Sequence, residues 1–202
     1  SAAHALPVTT IATTPGATFN ASSVSDAVTG DEMTGMSVTA CFAAGSCETK
    51  SWAATATPDG GAVSGTGWSI GLVGNSFSSK FVLEATIGIR SLAFNGQPGL
   101  TTFDMVGGGV DGSPGSALGR PFELDVFEPE AGNGQADDYS ISVLYSNRLL
   151  VSGVFHDDLY NVMEVNFLDN GGLAPLSFIG GMEFFADTDR TSENNPFTPG
   201  TP

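Results

Sequence analysis

Basic residues are scarce in this sequence. Lys and Arg together number 6 against 22 Asp and Glu, which gives a formal net charge of -16 at pH 7. Because nucleic acid and anionic lipid headgroups are themselves negatively charged, the electrostatic field of such a chain opposes both as partners. The same field attracts cations, including Ca²⁺. The composition therefore argues against nucleic-acid binding and favours cations as ligands.

Long hydrophobic runs are also missing. No stretch approaches the roughly 18 apolar residues of a membrane-spanning helix, so we expect no membrane insertion of this chain. Hydrophobic residues still make up 41%, which is enough for a core, while charged residues amount to only 14%. The surface must then consist largely of Ser, Thr, Gly, Asn and Ala, since the usual charged fraction is about a quarter. Such surfaces are typical of secreted proteins and of subunits that pack against each other.

Cysteine is limited to Cys41 and Cys47, which bracket a short turn between two β-like runs. In a hairpin these two residues face each other, and a disulfide closing so small a loop contributes about 2 kcal/mol in the chain-entropy model. Two cysteines without a nearby histidine make a poor zinc site. A pair of free thiols is the remaining alternative. We favour the disulfide over free thiols. A disulfide indicates an oxidising compartment.

Apolar residues recur with a period of two along most of the chain. A clear example is Tyr139, Ile141, Val143 and Tyr145, and Gly88 marks a bulge in the longest strand-like run. About ten short strands separated by turn signals predict an all-β fold, an antiparallel β-sandwich with jelly-roll-like or Greek-key topology. Strands do not alternate with long helices, which argues against a parallel α/β fold.

Composition divides the chain into three parts. Residues 1–16 are rich in Ala, Thr and Pro and are predicted to form an extended N-terminal arm, residues 17–190 a single β-sandwich domain, and residues 191–202 a Pro/Gly-rich tail. An arm of this kind can add as a strand to the sheet edge of a neighbouring copy. The alternative is an arm that simply frays.

One short motif points to an enzyme. Residues 123–128 (Glu-Leu-Asp-Val-Phe-Glu) resemble the E-x-D-x-x-E signature of laminarinase-like retaining glycosidases, which are jelly rolls. That resemblance implies Glu123 as nucleophile and Glu128 as acid/base at a separation of about 5 Å, with Asp125 tuning the proton. Alternation puts Glu123 and Asp125 on one face, and a bulge brings Glu128 onto it. The opposing interpretation is an ordinary strand with these carboxylates in solvent.

Two acidic loops offer oxygen ligands for a hard cation such as Ca²⁺, which takes about 6–8 of them. The candidate ligands are Glu128, Glu130, Asp137 and Asp138 in one loop, and Asp187, Asp189, Glu193 and Asn194 in the other. Neither loop has the spacing of an EF-hand. The two interpretations left open are a calcium site in at least one loop and loop charges that are merely solvated.

Several segments occur in an informative order. These are residues 33–39, the hairpin 42–52, and residues 65–68, 112–122, 158–160 and 185–189. Their order resembles that in bacterial exported proteins of the PEP-CTERM type, which are sorted by a C-terminal signal that is removed at the surface. The resemblance implies export to the bacterial cell surface or extracellular matrix. Because the Pro-Glu-Pro box of that signal is not found before Pro202, it also implies a processed form.

These observations predict a secreted, non-enzymatic structural protein. The specific hypothesis is a subunit that assembles with copies of itself through residues 1–16 into a filament, layer or matrix, with Ca²⁺ as a candidate stabilising ion. One alternative is a polysaccharide-binding or polysaccharide-hydrolysing jelly roll that uses Glu123, Asp125 and Glu128. A second alternative is a monomeric adhesion module stabilised by Ca²⁺.

Overall fold

The computed structural model describes residues 6–105 and 119–197. The fold is all-β, as predicted, and its strands join into one large, mainly antiparallel sheet that folds over as a β-sandwich. The strands are β1 (Val8–Thr13), β2 (Phe19–Ala21), β3 (Val24–Ala27), β4 (Ser37–Phe42), β5 (Cys47–Ser51), β6 (Ala53–Ala54), β7 (Gly60–Gly65), β8 (Trp68–Val73), β9 (Phe81–Asn95), β10 (Thr101–Asp104), β11 (Glu123–Pro129), β12 (Tyr139–Val151), β13 (Val154–Asp169), β14 (Phe178–Phe185), β15 (Thr188–Thr191) and β16 (Asn195–Pro196).

Helix is confined to short turns in the described part of the chain. The three 3₁₀ turns are Asp31–Met33, Gln97–Gly99 and Ala136–Asp138. Among the residues described, no helix is long and apolar enough to cross a membrane.

Strand β9 is the corner of the sandwich. Its first part, from Phe81 to Ala85, pairs with β8 on one side and β14 on the other. Its second part, from Ile89 to Asn95, pairs with β4 and β13, and within it Ile89 also lies opposite Phe178 of β14. The pairing with β14 is irregular between these two parts, where Gly88 lies. The change of partners lets one continuous strand contribute to both layers.

Aromatic side chains fill the space between the layers. Phe184 stacks on Phe81 with ring centroids 5.2 Å apart and on Phe122 at 4.9 Å. A second group centres on Phe178, which stacks on Phe167 at 4.9 Å. All of these rings are buried, and stacked or edge-to-face pairs add stabilisation beyond the area they bury. The apolar alternation seen in the sequence therefore marks the faces that pack inward.

The N-terminal segment is a strand of this sheet. β1 pairs with β12 in parallel, with Val8 opposite Ser140 and Thr13 opposite Tyr145. β2 continues along the same side of β12 and is also parallel to it, an arrangement that the antiparallel prediction does not include. The predicted arm is thus extended, and most of it lies against its own domain. Residues 1–5 of that arm and 198–202 of the predicted tail lie outside the described residues.

Strands β10 and β15 form a short ladder beside the main sheet. β10 pairs with β13 on one side and β15 on the other, and β15 pairs in turn with β3. This ladder therefore links the long strand β13 to the N-terminal part of the chain. It also carries buried acidic side chains, among them Asp104 and Asp189.

Candidate functional site

Three aspartates meet at the ladder of β10 and β15. The register sets Thr102 opposite Asp189 and Phe103 opposite Thr188. Cross-strand partners project to the same face and neighbours along a strand alternate, so Thr102, Asp104 and Asp189 share one face. Asp187 directly precedes β15, and its carbonyl accepts a hydrogen bond from the amide of Asp104 at 3.2 Å.

The three carboxylates are close together and shielded from water. One oxygen from each of Asp104, Asp187 and Asp189 lies within 4.8 Å of the others, and the three residues are 2%, 1% and 0% exposed. In residues 6–105 and 119–197 this is the one group of three or more acidic, His or Cys side chains arranged closely enough to hold a metal ion. Carboxylates are normally buried only when other groups compensate their charge.

Burial sets the protonation of the central carboxyl. It raises the pKa of Asp187 from 3.8 to about 7, because the surroundings disfavour the charged form. The hydrogen bond from Ser76 acts in the opposite direction, while the negative charge of Asp104 and, more weakly, of Asp26 raises the pKa further. Three carboxylates in such a site repel one another when they are ionised.

Neighbouring segments fix the positions of the aspartates. Ser76 Oγ lies 3.0 Å from Oδ1 of Asp187 and accepts a hydrogen bond from the amide of Thr188 at 3.1 Å. Gly119 packs tightly on Asp104, since a Cβ at residue 119 would lie 2.0 Å from Oδ1 of that aspartate. The guanidinium of the adjacent Arg120 binds Glu123 at 2.8 Å and lies over the ring of Phe185.

The structure brings together only part of the predicted cation ligands. Asp187 and Asp189 lie in the cluster. Glu193 instead accepts a hydrogen bond from the amide of Ser22 at 2.9 Å. Asn194 is buried, where it forms a reciprocal pair of 2.8 Å hydrogen bonds with Asn161.

The ligands predicted in the other acidic loop are spread over the surface. Glu128, Glu130, Asp137 and Asp138 are all exposed. Asp138 is occupied in a capping box, in which its Oδ2 accepts a hydrogen bond from the amide of Gln135 at 2.7 Å. This loop therefore does not converge on one point as the aspartates beside β15 do.

Asp104 is the member of the cluster that sequence reasoning missed. The available signal was its position at the end of a short strand-like run, Thr101–Asp104. That signal becomes informative only with the knowledge that β10 pairs with β15.

The motif of residues 123–128 lies on β11, whose only partner among the described strands is β14. A bulge occurs at Asp125, between Leu124 and Val126, and the three acidic side chains are exposed. Glu123 pairs with Arg120 at 2.8 Å, and Asp125 pairs with Lys80. These two carboxylates therefore neutralise surface cations.

Cys41 and Cys47 form the predicted disulfide, which closes the hairpin of β4 and β5 with a Cα–Cα distance of 4.1 Å. A shallow pocket of about 580 Å³ adjoins it, lined by Phe42, Ala43, Ala44, Ser46, Cys47, Glu48, Thr66, Ile87 and Gly88. A hydrogen bond from the amide of Thr66, with further bonds from Lys50 and Trp68, lowers the pKa of Glu48 to about 2. Glu48 therefore stays ionised at neutral pH.

Comparison with protein-family models, curated proteins and solved structures finds no match to this chain. Functional inference therefore depends on the geometry of its own residues.

Proposed function

We propose that this protein is a non-enzymatic, secreted structural subunit that associates with further copies of itself at the sheet edge formed by β1. The observation that carries this proposal is an open edge without charge. β1 pairs with β12 alone among the described strands, so its other edge offers unpaired backbone donors and acceptors. Exposed edges of this kind add strands from other chains unless charge, proline or a bulge prevents it.

Electrostatics favours this edge as the contact between copies. Two molecules of net charge -16 repel each other, and an interface forms most easily where that charge is lowest. No ionisable side chain occurs between Ala5 and Ser25, and in the adjacent β12 the only Lys, Arg, Asp or Glu is Arg148. Val8 and Ile11 on β1 are 65% and 41% exposed and add apolar area.

Two other edges differ from β1 in ways that oppose strand addition. β5 carries Glu48 and Lys50, which form an ion pair at 3.0 Å. β11 carries three acidic residues, a bulge at Asp125 and a proline at its end. Charges, bulges and prolines are the usual protection of sheet edges against association, and the six residues of β1 include none of them.

The disulfide supports the proposed compartment. Bonds such as Cys41–Cys47 persist in oxidising surroundings and are rare in the cytosol of mesophiles. A surface with few charged residues is also compatible with close lateral packing of subunits.

Light scattering after size-exclusion chromatography, followed by negative-stain electron microscopy, tests the proposal. We expect wild-type protein to form dimers and larger, regular assemblies as its concentration rises, and Ile11→Lys to remain monomeric. The matched control is Val73→Lys, which adds the same charge at an exposed apolar residue at the end of β8. Wild-type protein that stays monomeric at all concentrations, or equal effects of the two variants, would contradict the proposal.

A glycoside hydrolase remains the alternative from another class. The ion pairs of Glu123 and Asp125 give it no support, because both carboxylates are engaged with cations on an exposed strand. Release of reducing ends from a β-glucan by the wild type, and its loss in Glu128→Gln, would favour the hydrolase over the structural subunit.

A further inference from the structure

We propose that Asp104, Asp187 and Asp189, together with the hydroxyl of Thr102, form a buried binding site for one divalent cation of the calcium type. The site is independent of the proposed self-association. It lies on the ladder of β10 and β15 and does not involve the open edge of β1.

The spacing of the carboxylates suits a shared ion. Three points that lie within 4.8 Å of one another have a common centre no farther than about 2.8 Å from each, close to the roughly 2.3–2.6 Å of calcium–oxygen bonds. The donor set consists of oxygen atoms alone. Such ligands suit hard cations such as Ca²⁺ better than they suit zinc or copper. Because burial leaves little space for the waters that Mg²⁺ usually retains, the geometry favours Ca²⁺.

An independent observation at the same place is the hydroxyl of Thr102. This residue is 0% exposed, and its Oγ1 has no hydrogen-bond partner within the described structure. It stands directly opposite Asp189 in the ladder, on the face that carries the aspartates. A buried hydroxyl without a partner is uncommon and calls for an explanation such as an ion. A cation coordinated by this oxygen supplies that explanation.

The second oxygen of Asp187 points to the same conclusion. Oδ1 of this residue is bound by Ser76, whereas Oδ2 is buried without a hydrogen-bond partner among the described residues. The residue as a whole is 1% exposed. A divalent ion adds two positive charges to a site with three carboxylates, which removes most of their mutual repulsion.

Bound calcium would join segments that are distant in the sequence. Asp104 belongs to β10, which pairs with β13, and Asp189 belongs to β15, which pairs with β3. One ion would therefore cross-link the ladder and stabilise the folded chain by mass action.

Calorimetric titration of the EDTA-treated, dialysed full chain with CaCl₂ tests this site, with melting curves measured in parallel. We expect one ion per chain and a rise in melting temperature that EDTA reverses. Asp187→Asn should lose calcium binding and the thermal shift, yet melt no lower than the wild type in EDTA, because the amide removes a repelling charge. Thr102→Val, which is nearly isosteric, should weaken binding by roughly tenfold, as the loss of one metal-site partner typically does.

The matched control is Asp125→Asn, which removes an exposed carboxylate on β11 and should bind calcium as the wild type does. Three results would overturn the proposal. The first is a wild type without a stoichiometric heat of binding or a thermal shift, and the second is equal losses in Asp125→Asn and Asp187→Asn. The third is unchanged affinity in a folded Thr102→Val together with stronger stabilisation by MgCl₂ than by CaCl₂.

Discussion

Two groups of carboxylates on this protein lie in opposite surroundings. On β11, Glu123 and Asp125 lie in solvent, and each pairs with a basic side chain. Beside β15, Asp187 and Asp189 are buried next to a third aspartate. The first group has the more recognisable sequence motif, whereas the second has the geometry of a ligand site. The contrast shows that the pairing of strands, more than the spacing of residues in one strand, determines what an acidic residue can do.

The strongest test of this contrast changes a glycine that packs on the buried group. Gly119→Ala places a Cβ 2.0 Å from Oδ1 of Asp104 and 2.8 Å from its backbone carbon. We expect a loss of about 1–3 kcal/mol in the free energy of unfolding, as for other overpacked sites, together with a smaller calcium response. Urea denaturation with and without CaCl₂ measures both. Gly171→Ala is the control, because its nearest neighbouring atom would lie 3.6 Å away, and equal losses would contradict the tight packing.

A somewhat smaller effect is expected from Ser76→Ala. The change removes the hydroxyl that lies 3.0 Å from Oδ1 of Asp187, which leaves a buried carboxylate with less compensation. The expected loss is about 1–2 kcal/mol by urea denaturation, and it should be larger in EDTA than in calcium. Ser64→Ala, at an exposed position of β7, provides the control. A loss that is the same in both buffers would show that Ser76 does not act through the carboxylate.

Among the surface carboxylates, Glu48 makes the stability of the folded protein depend on pH in a direction that can be predicted. Its folded pKa of about 2 lies below its ordinary value of 4.5, so its stabilisation is present above pH 4.5 and is lost as the pH falls towards 2. Glu48→Gln should therefore lower the melting temperature at pH 7 and flatten the acid side of the profile. Lys50→Met should keep part of that profile, because the hydrogen bond from the amide of Thr66, the largest single cause of the low pKa of Glu48, remains. A Lys50→Met variant whose pH profile matches that of Glu48→Gln would show that Lys50, and not the amide of Thr66, is the main cause of the low pKa.

The smallest effect is expected from the surface ion pairs. Lys80 bridges Asp125 and Glu183, and all three side chains are about one third or more exposed. Lys80→Met should lower the melting temperature slightly at low ionic strength, and the difference should vanish in about 1 M salt, where the screening length is about 3 Å. A difference that persists in salt would mean that packing of the lysine stem, and not its charge, is responsible.

Local patterns in the sequence predicted the fold class and the disulfide correctly. Alternation over residues such as Ile141 and Val143 reports which face of a strand is buried, and the position of Cys41 and Cys47 on either side of a short turn favours a hairpin. Both signals are contained within one strand or one turn, so no knowledge of distant pairing is needed.

The candidate site depends on pairing that no local pattern encodes. Asp187 and Asp189 were predicted as ligands because they are close in sequence, but Asp104 joins them only through the ladder of β10 and β15. Glu193 and Asn194 are predicted in the same loop, whereas Thr188–Thr191 form a strand and the two side chains bind elsewhere, to Ser22 and Asn161. The parallel pairing of β1 with β12 was missed for the same reason.

The corner strand β9 has a further consequence, for how the protein opens. Because it pairs with four strands in two layers, we expect its amides to exchange with solvent hydrogen only when the whole domain unfolds. β1 has a single partner among the described strands and is mostly exposed, so we expect it to detach while the rest stays folded. Hydrogen exchange should therefore divide the molecule into a cooperative unit around β9 and an N-terminal strand that opens independently and is available to pair elsewhere.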